Sequence, residues 1–172
     1  RVLYVKWDKS DKKSELEVTF DVIMQERITN FSKATTNTNY PEEIKEYLKG
    51  TTHVPVTSGL QKYVKDIVKD AKSPLQKAQA IYDWTVTTMY RDESVKGCGI
   101  GDAKKSIEEK IYGGKCTDIS SVFVCLLRNA GIPAREIFGL RAGQSKISNA
   151  CGKADANGFA DVTAAQHCRA EF

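Results

Sequence analysis

The chain has few residues of the kinds that build metal centres, and it has no long apolar run. It contains two histidines, and its five cysteines include no C-x-x-C pair. A zinc site needs several such ligands at short spacing, so neither a metal nor any other cofactor is predicted. No run of about 18 apolar residues occurs, so the sequence offers no candidate membrane span.

An excess of one sign of charge is also absent. The chain has 26 Lys and Arg against 22 Asp and Glu, a formal net charge of +4, and the two signs are interspersed. Basic and aromatic residues do not interleave as they do in nucleic-acid interfaces, so nucleic-acid binding is not predicted. The composition, 41% hydrophobic and 28% charged, is typical of a soluble globular domain.

The segment after the pair Gly113 and Gly114 has helical periodicity. Its apolar residues recur at helix spacing, at Ile119, Val122, Phe123, Leu126, Leu127 and Ala130. Gly131 suits the left-handed position that ends a helix, and Pro133 prevents continuation. We therefore predict a helix that begins at or beside Cys116.

A cysteine at a helix N-terminus is suited to nucleophilic chemistry. The free N–H groups and the helix dipole stabilise the thiolate of Cys116, and the preceding glycines leave room for a substrate backbone. The alternative is a small buried hydrophobic residue, the usual role of a free cysteine. Asp118, in the first turn, is interpreted as a helix-start carboxylate. Cys125, on the other side of the helix, is interpreted as a buried structural thiol.

The two histidines are the candidates for the base that a cysteine nucleophile needs. His167 lies in the segment 164–172, which we interpret as a strand whose successive side chains alternate between two faces. His53 lies in an extended, proline-flanked segment and is the weaker candidate. The predicted catalytic pair is Cys116 and His167, within hydrogen-bond reach, with Cys125 and Cys168 pointing elsewhere.

Three segments resemble the transglutaminase-like branch of the cysteine-protease superfamily. Tyr112 to Cys116 resembles its glycine-rich approach to the nucleophile, and Asn129 to Arg135 resembles its helix end Ala-Gly-Ile-Pro-Ala-Arg. Gln166 to Phe172 resembles its histidine-bearing strand. The similarity covers about residues 51–172.

The resemblance implies an α+β, papain-like transglutaminase core. In it the Cys116 helix packs on an antiparallel sheet, here predicted to contain 135–141 and 165–172. The family's catalytic Cys, His and Asp follow in that chain order, yet no Asp or Asn follows His167. We therefore expect a domain truncated at its C-terminus, with the third catalytic residue beyond Phe172.

The first 50 residues differ in character from the rest. Val2 to Trp7 and Leu16 to Ile28 alternate apolar and polar residues, which predicts two paired strands. We expect residues 1–50 to be a partial β-rich N-terminal region and linker. The core then occupies residues 51–172.

Several shorter signals organise the core. Thr57 or Ser58 is predicted to cap one helix, and Ser73 caps another that carries Trp84 on its apolar face. Residues 91–103 form a glycine-rich loop that could border the active cleft. With Cys116 free, at most two disulfides remain among Cys98, Cys125, Cys151 and Cys168. A bridge between Cys151 and Cys168 stays open, as does a chance pair.

These observations predict an enzyme that attacks an amide carbonyl with Cys116 and passes through a thioester, with His167 as base and then acid. The Cys116 N–H would contribute to an oxyanion site, and Tyr112 is considered as a second donor. Water as acceptor gives a peptidase or amidase, which we favour; an amine acceptor gives a protein-glutamine acyltransferase. The expected partner is a protein or peptide substrate. The alternative from another class is a noncatalytic binding or scaffold module that keeps the fold.

Overall fold

The computed structural model describes most of the chain from residue 36 onward and parts of the chain before it. The described residues are 4–7, 15–19, 21, 23, 28–34, 36–140, 156–157 and 166–172. The chain divides into two compact units, Arg1–Lys33 and Ala34–Phe172.

The described part of the first unit contains one regular element, a 3-10 helix at Phe31–Lys33. The strand prediction is wrong for residues 4–7 and 16–19, which belong to no strand. Their apolar side chains are exposed, and an isolated two-stranded hairpin without an apolar partner surface is marginal in water. Residues 21, 23 and 28 also belong to no strand, and the remainder of the two predicted strands lies outside the described residues.

The second unit is built from five α-helices within the described ranges. They are α1 (Glu42–Lys45), α2 (Ser58–Ile67), α3 (Pro74–Thr88), α4 (Ala103–Glu108) and α5 (Cys116–Asn129), with a 3-10 turn at Glu46–Leu48 after α1. The predicted caps are confirmed. Thr57 Oγ1 accepts the Leu60 N–H, and Ser73 Oγ accepts the Gln76 N–H, both at 3.2 Å. Each cap satisfies a backbone donor that the first helical turn leaves without a partner.

Helix α5 has the predicted bounds. It begins at Cys116 and ends at Asn129, and Gly131 has φ +81°. The Ile132 N–H bonds to the Leu127 carbonyl at 2.9 Å, so the left-handed glycine turns the chain back and satisfies a terminal carbonyl.

Four short strands form two separate pairs in the described part of this unit. Strands β1 (Tyr90–Arg91) and β2 (Gly113–Gly114) pair in parallel. Strands β3 (Arg135–Leu140) and β4 (Gln166–Glu171) pair antiparallel.

The β3–β4 register places Arg135 opposite Glu171 and Gly139 opposite His167. The register is supported by an ion pair between Arg135 Nη2 and Glu171 Oε2 at 2.9 Å. The same guanidinium stacks on Tyr47, 5.1 Å from the ring centroid. Opposite charges at directly facing positions stabilise one alignment of an antiparallel pair over its neighbours.

Helix α5 lies at the centre of the core. Its Val122, Val124, Cys125, Leu126 and Leu127 have no exposed surface. They share a cluster with α2 and α3 side chains such as Val64 and Ile81. Toward the sheet, Ser121 Oγ donates to Glu136 Oε1 on β3, and the Phe123 and Phe172 rings meet edge to face at 6.0 Å. The predicted packing of the Cys116 helix on an antiparallel sheet is confirmed.

Candidate active site

Cys116 is the first residue of α5 and is partly exposed. Its sulfur therefore lies where the unpaired N–H groups and the positive end of the helix dipole converge. Asp118 Oδ2 accepts the Lys115 N–H at 2.9 Å, which fixes the residue before the cysteine to the first turn. This confirms Asp118 as a helix-start carboxylate.

One of the sulfur atoms in contact with Cys116 belongs to a residue of β4. Cys168 Sγ lies 3.5 Å from Cys116 Sγ and 3.1 Å from Thr117 Oγ1. The expectation that Cys168 points away from Cys116 is therefore wrong. Strand β4 turns Cys168 inward against the start of α5, where its side chain is buried.

A third thiol reaches the same place from the glycine-rich loop. The Thr117 N–H donates to the Cys98 carbonyl at 3.0 Å, which holds this loop beside the first turn of α5. The Cys98 thiol lies 3.5 Å from Gln166 Oε1 and can donate its one hydrogen there or to the Cys116 thiolate. Cys98, Cys116 and Cys168 thus form a cluster of three free thiols.

The thiols of the cluster differ in acidity. Burial raises the pKa of Cys116, but hydrogen bonds from Cys168, Cys98 and the Thr117 N–H stabilise its thiolate more strongly and bring that pKa below its ordinary value. Burial raises the pKa of Cys168 to about 11, and its hydrogen bond to Cys116 adds to the shift. Cys116 is therefore the member of this pair that ionises first.

Cys125 is the buried structural thiol that the sequence predicted. It has no exposed surface, and burial raises its pKa to about 12. Its thiol donates to the Pro55 carbonyl at 3.5 Å, away from the cluster around Cys116. Cys168 is a free thiol in this structure, and Cys151, with which a bridge was left open, lies outside the described residues.

The side chain of Asp118 also anchors the glycine-rich loop. Its Oδ1 accepts the N–H groups of Ile100 and Gly101, each at 2.9 Å. A Cβ on Gly99 would lie 2.0 Å from Asp118 Oδ2, and Gly99 has φ +94°. The loop thus approaches α5 closely enough to border the Cys116 site, as the sequence suggested.

His167 is on β4, one residue before Cys168, and its side chain is exposed. Successive side chains of a strand point to opposite faces, so Cys168 and Gln166 share the face toward Cys116 and His167 occupies the other. The described contacts thus bring Cys116 together with Cys98 and Cys168. His53 is exposed in a bend, where its carbonyl accepts the Ala103 N–H at 2.9 Å.

Tyr112 is engaged in an aromatic cluster below the site. Its ring meets Trp84 edge to face at 5.9 Å, and Trp84 meets Tyr63 in the same way at 6.1 Å. Burial, with a hydrogen bond to Tyr112, raises the pKa of Tyr63 to about 12. These contacts confirm Trp84 as a core residue, and they hold the Tyr112 ring in the aromatic cluster.

A chain of charges lies beside the start of α5. Lys115, almost fully buried, forms an ion pair with Glu93, which also accepts a hydrogen bond from Arg91. The hydrogen bond from Arg91, followed by that from Lys115, lowers the pKa of Glu93 to about 2. The cation of Lys115, the residue before Cys116, is thereby paired with a carboxylate. No cluster of three His, Cys, Asp or Glu side chains suited to a metal occurs in the ranges that the structure describes. In those same ranges no helix is long and apolar enough to cross a membrane.

Sequence patterns gave no way to find the sulfur contacts of Cys116. Cys98 and Cys168 are distant from it along the chain, and no spacing rule links the three. The close approach of the glycine-rich loop to α5 could be expected from the sequence. Glycine recurs at every second position there, at Gly97, Gly99 and Gly101. All three have positive φ.

Comparison with known proteins assigns this fold to a family. The sequence profile of the transglutaminase-like superfamily matches residues 61–172. The chain belongs to the transglutaminase-like superfamily. The matched range contains α5 with Cys116 and the β3–β4 pair, so the fold expected from the sequence resemblance is confirmed.

A relative of this transglutaminase-like chain is a longer protein. An uncharacterized protein of Haemophilus influenzae (strain Rd) is 40% identical over 183 aligned residues, which cover 100% of this chain and 50% of that protein. The chain thus spans about half the length of the curated relative that it matches.

Two solved structures resemble parts of this chain. A crystal structure named "Putative Cysteine Protease" from Cytophaga hutchinsonii has a TM-score of 0.54 and 19% identity, over 77% of this chain and 39% of the other. A second, named "Putative Protease", from Parabacteroides distasonis, has a TM-score of 0.41 and 14% identity, over 74% of this chain and 23% of the other. The first supports the transglutaminase-like fold.

Proposed function

We propose that this transglutaminase-like domain carries out cysteine-nucleophile chemistry on amide carbonyls, as a peptidase or amidase. The observation that carries the proposal is the placement of Cys116. Its partly exposed sulfur lies at the N-terminus of α5 and has a pKa below that of an ordinary thiol. A thiolate at a helix start is the arrangement that cysteine hydrolases use to attack a carbonyl.

The reaction proceeds through two acyl transfers. The Cys116 thiolate adds to the carbonyl carbon, and the tetrahedral intermediate expels the amine, which takes up a proton and leaves a thioester. Water then adds to the thioester, releases the acid and restores the thiol. An amine in place of water would give the transglutaminase reaction. We propose hydrolysis because water requires no second substrate site.

The negative charge on the carbonyl oxygen needs donors at the start of α5. The Cys116 N–H is the first candidate, because it belongs to the turn whose backbone donors have no helical acceptor. Tyr112 is a poor second donor, since its ring is held edge to face against Trp84 in the aromatic cluster.

We propose His167 as the base that removes the thiol proton and returns it to the leaving amine. Supporting this role, His167 is adjacent to Cys168, whose sulfur lies 3.5 Å from that of Cys116. The role requires the imidazole to reach the Cys116 side of β4, where strand alternation here places Cys168.

Thiol labelling tests the nucleophile directly. The folded protein would be treated with iodoacetamide at mildly acidic pH, quenched, and mapped by mass spectrometry. We expect selective modification of Cys116, because its pKa is lowered while those of Cys125 and Cys168 are raised. Cys116→Ser should abolish the label, whereas Cys125→Ser, the matched control at a buried thiol, should retain it.

Turnover is tested with a library of fluorogenic peptide amides. The wild-type protein should release the fluorophore and Cys116→Ala should not. Uniform or absent labelling of Cys116, together with equal release by the wild type and Cys116→Ala, would support a noncatalytic scaffold instead.

A further inference from the structure

Three thiols from three different elements meet at the start of α5. Cys116 opens the helix, Cys98 belongs to the glycine-rich loop, and Cys168 lies on β4. All three are free. The proposed hydrolysis needs one thiol, so the other two require a separate explanation.

We propose that Cys116 and Cys168 are an oxidation site, at which hydrogen peroxide converts the two thiols to a reversible disulfide. The geometric basis is the separation of 3.5 Å between the two sulfur atoms. A disulfide bond is about 2.05 Å long, so the sulfurs must approach by about 1.5 Å. Side-chain rotation at two free cysteines supplies a movement of this size.

The step is balanced with peroxide as the oxidant. The Cys116 thiolate attacks one peroxide oxygen, the O–O bond breaks, and hydroxide leaves, so that Cys116 becomes a sulfenic acid. The Cys168 sulfur then attacks the sulfenic sulfur, the S–O bond breaks, and the hydroxyl leaves as water with the Cys168 proton. Two thiols have lost two electrons, and peroxide has gained them.

Exposure decides which cysteine reacts first. Cys116 is partly exposed and meets dissolved peroxide, whereas Cys168 is only 6% exposed. Acidity gives the same order, because Cys116 ionises before Cys168. An accessible, acidic cysteine beside a second, protonated one is the arrangement of a peroxide-sensing pair.

Cys98 is the competing partner. Its thiol lies 3.5 Å from Gln166 Oε1 on β4 and can donate its one hydrogen there or to the Cys116 thiolate. Cys168 has the advantage of position, because it is held between Cys116 Sγ and Thr117 Oγ1. The bridge would thus join α5 to β4, two elements that already pack together.

The bridge would switch off the proposed nucleophile and protect it. A disulfide removes the thiolate that attacks the carbonyl, and it also blocks further oxidation of Cys116 to the irreversible sulfinic and sulfonic acids. This regulatory consequence rests on the proposed function. Formation of the bridge does not, because it needs only the two thiols and peroxide.

Peptide mapping tests the bridge. The folded, reduced protein would be treated with hydrogen peroxide, unfolded, alkylated and digested with trypsin without reductant. Cleavage sites predict a peptide 116–128 linked to a peptide 154–169, lighter by two hydrogens than the two separate peptides. Because 116–128 also contains Cys125, a second digestion that cleaves before Asp118 separates the two candidate cysteines.

Variants assign the link. We expect it in the wild type, in Cys98→Ser and in the buried-thiol control Cys125→Ser, and we expect its loss in Cys168→Ser and Cys168→Ala. Circular dichroism checks that both Cys168 variants are folded. A link through Cys98 or Cys125, or sulfinic acid at Cys116 in the wild type without any link, would overturn the proposal.

Activity separates this proposal from the proposed function. Peroxide should reduce peptide-amide hydrolysis at least tenfold, and dithiothreitol should restore it in the wild type but not in Cys168→Ser, where Cys116 overoxidises. If the link forms in a protein that hydrolyses nothing when reduced, the proposed function fails and the oxidation site stands. If the reduced protein is active and no link forms, the oxidation site fails and the proposed function stands.

Discussion

Asp118 Oδ1 accepts the Gly101 N–H at 2.9 Å, which ties the glycine-rich loop to the first turn of α5. The same oxygen accepts the Ile100 N–H, and Oδ2 accepts the Lys115 N–H. One carboxylate thus satisfies three backbone donors from two segments that border Cys116. The Asp118 carboxylate has a positioning role, because it holds the glycine-rich loop that brings Cys98 close to Cys116.

Asp118→Ala should destabilise the protein by about 2–3 kcal/mol, because three N–H groups lose a charged acceptor. Asp118→Asn should cost less, since the amide oxygen still accepts from the loop while its nitrogen cannot accept the Lys115 N–H. Urea denaturation measures both, and iodoacetamide labelling should show slower reaction of Cys116 in Asp118→Ala. Unchanged stability in Asp118→Ala would show that water replaces the carboxylate without loss.

Two glycines of the loop provide a matched comparison. Gly97 and Gly99 both have positive φ, but a Cβ at Gly97 meets nothing within 4 Å, whereas one at Gly99 lies 2.0 Å from Asp118. Gly97→Ala should cost about 1–2 kcal/mol from backbone strain alone. Gly99→Ala should cost clearly more and should slow the labelling of Cys116.

A double mutant isolates the cause. In an Asp118→Ala background the additional cost of Gly99→Ala should fall toward that of Gly97→Ala, because the clashing carboxylate is gone. If Gly99→Ala lowers the free energy of unfolding equally in the wild type and in Asp118→Ala, the added methyl group clashes with a residue other than Asp118.

Cys168 should control the acidity of Cys116. Burial raises the pKa of Cys116, and hydrogen bonds from Cys168 are the first of the interactions that lower it. Cys168→Ala removes the side-chain donor, so the alkylation rate of Cys116 should reach its midpoint at higher pH than in the wild type. Cys168→Ser keeps a donor and should shift the midpoint less. A midpoint that falls in Cys168→Ala would reverse the sign of this interaction.

Asn129 should be among the most sensitive polar residues of the core. Its Nδ2 donates to the carbonyls of Pro55 and Cys125, and its Oδ1 accepts the Thr57 N–H, all within 3.1 Å. Asn129→Ala leaves these backbone groups without that partner, which should cost about 2–3 kcal/mol. Thermal unfolding should show this loss, while Gln61→Ala, at an exposed position of α2, should be neutral.

The two histidines should differ in function. His167→Ala should reduce peptide-amide hydrolysis by a factor of about 10²–10⁴, the usual contribution of a general base, while His53→Ala should leave the rate unchanged. The pH profile checks the assignment, because loss of the base should remove the ascending limb that reports its ionisation. Unchanged hydrolysis in His167→Ala would assign the proton transfer to another group.

Local patterns were sufficient for the helices around the site. The period of the apolar residues set the extent of α5, and Thr57 and Ser73 set the starts of α2 and α3. Helix α4 and the short β1–β2 pair were not predicted. Both depend on contacts across the chain, as when the Ala103 N–H bonds to the carbonyl of His53 and the Asp92 N–H bonds to that of Gly114.

The sequence by itself determined that Cys116 opens a helix and that His167 and Cys168 fall on opposite faces of a strand, because both follow from interactions between near neighbours. The sequence did not determine which face of β4 lies against the Cys116 sulfur. That depends on how β4 aligns with β3 and how the pair packs on α5, where the Arg135–Glu171 ion pair and the burial of Cys168 decide the register. Period-two alternation divides a strand into two faces, and only packing against the rest of the chain decides which one turns inward.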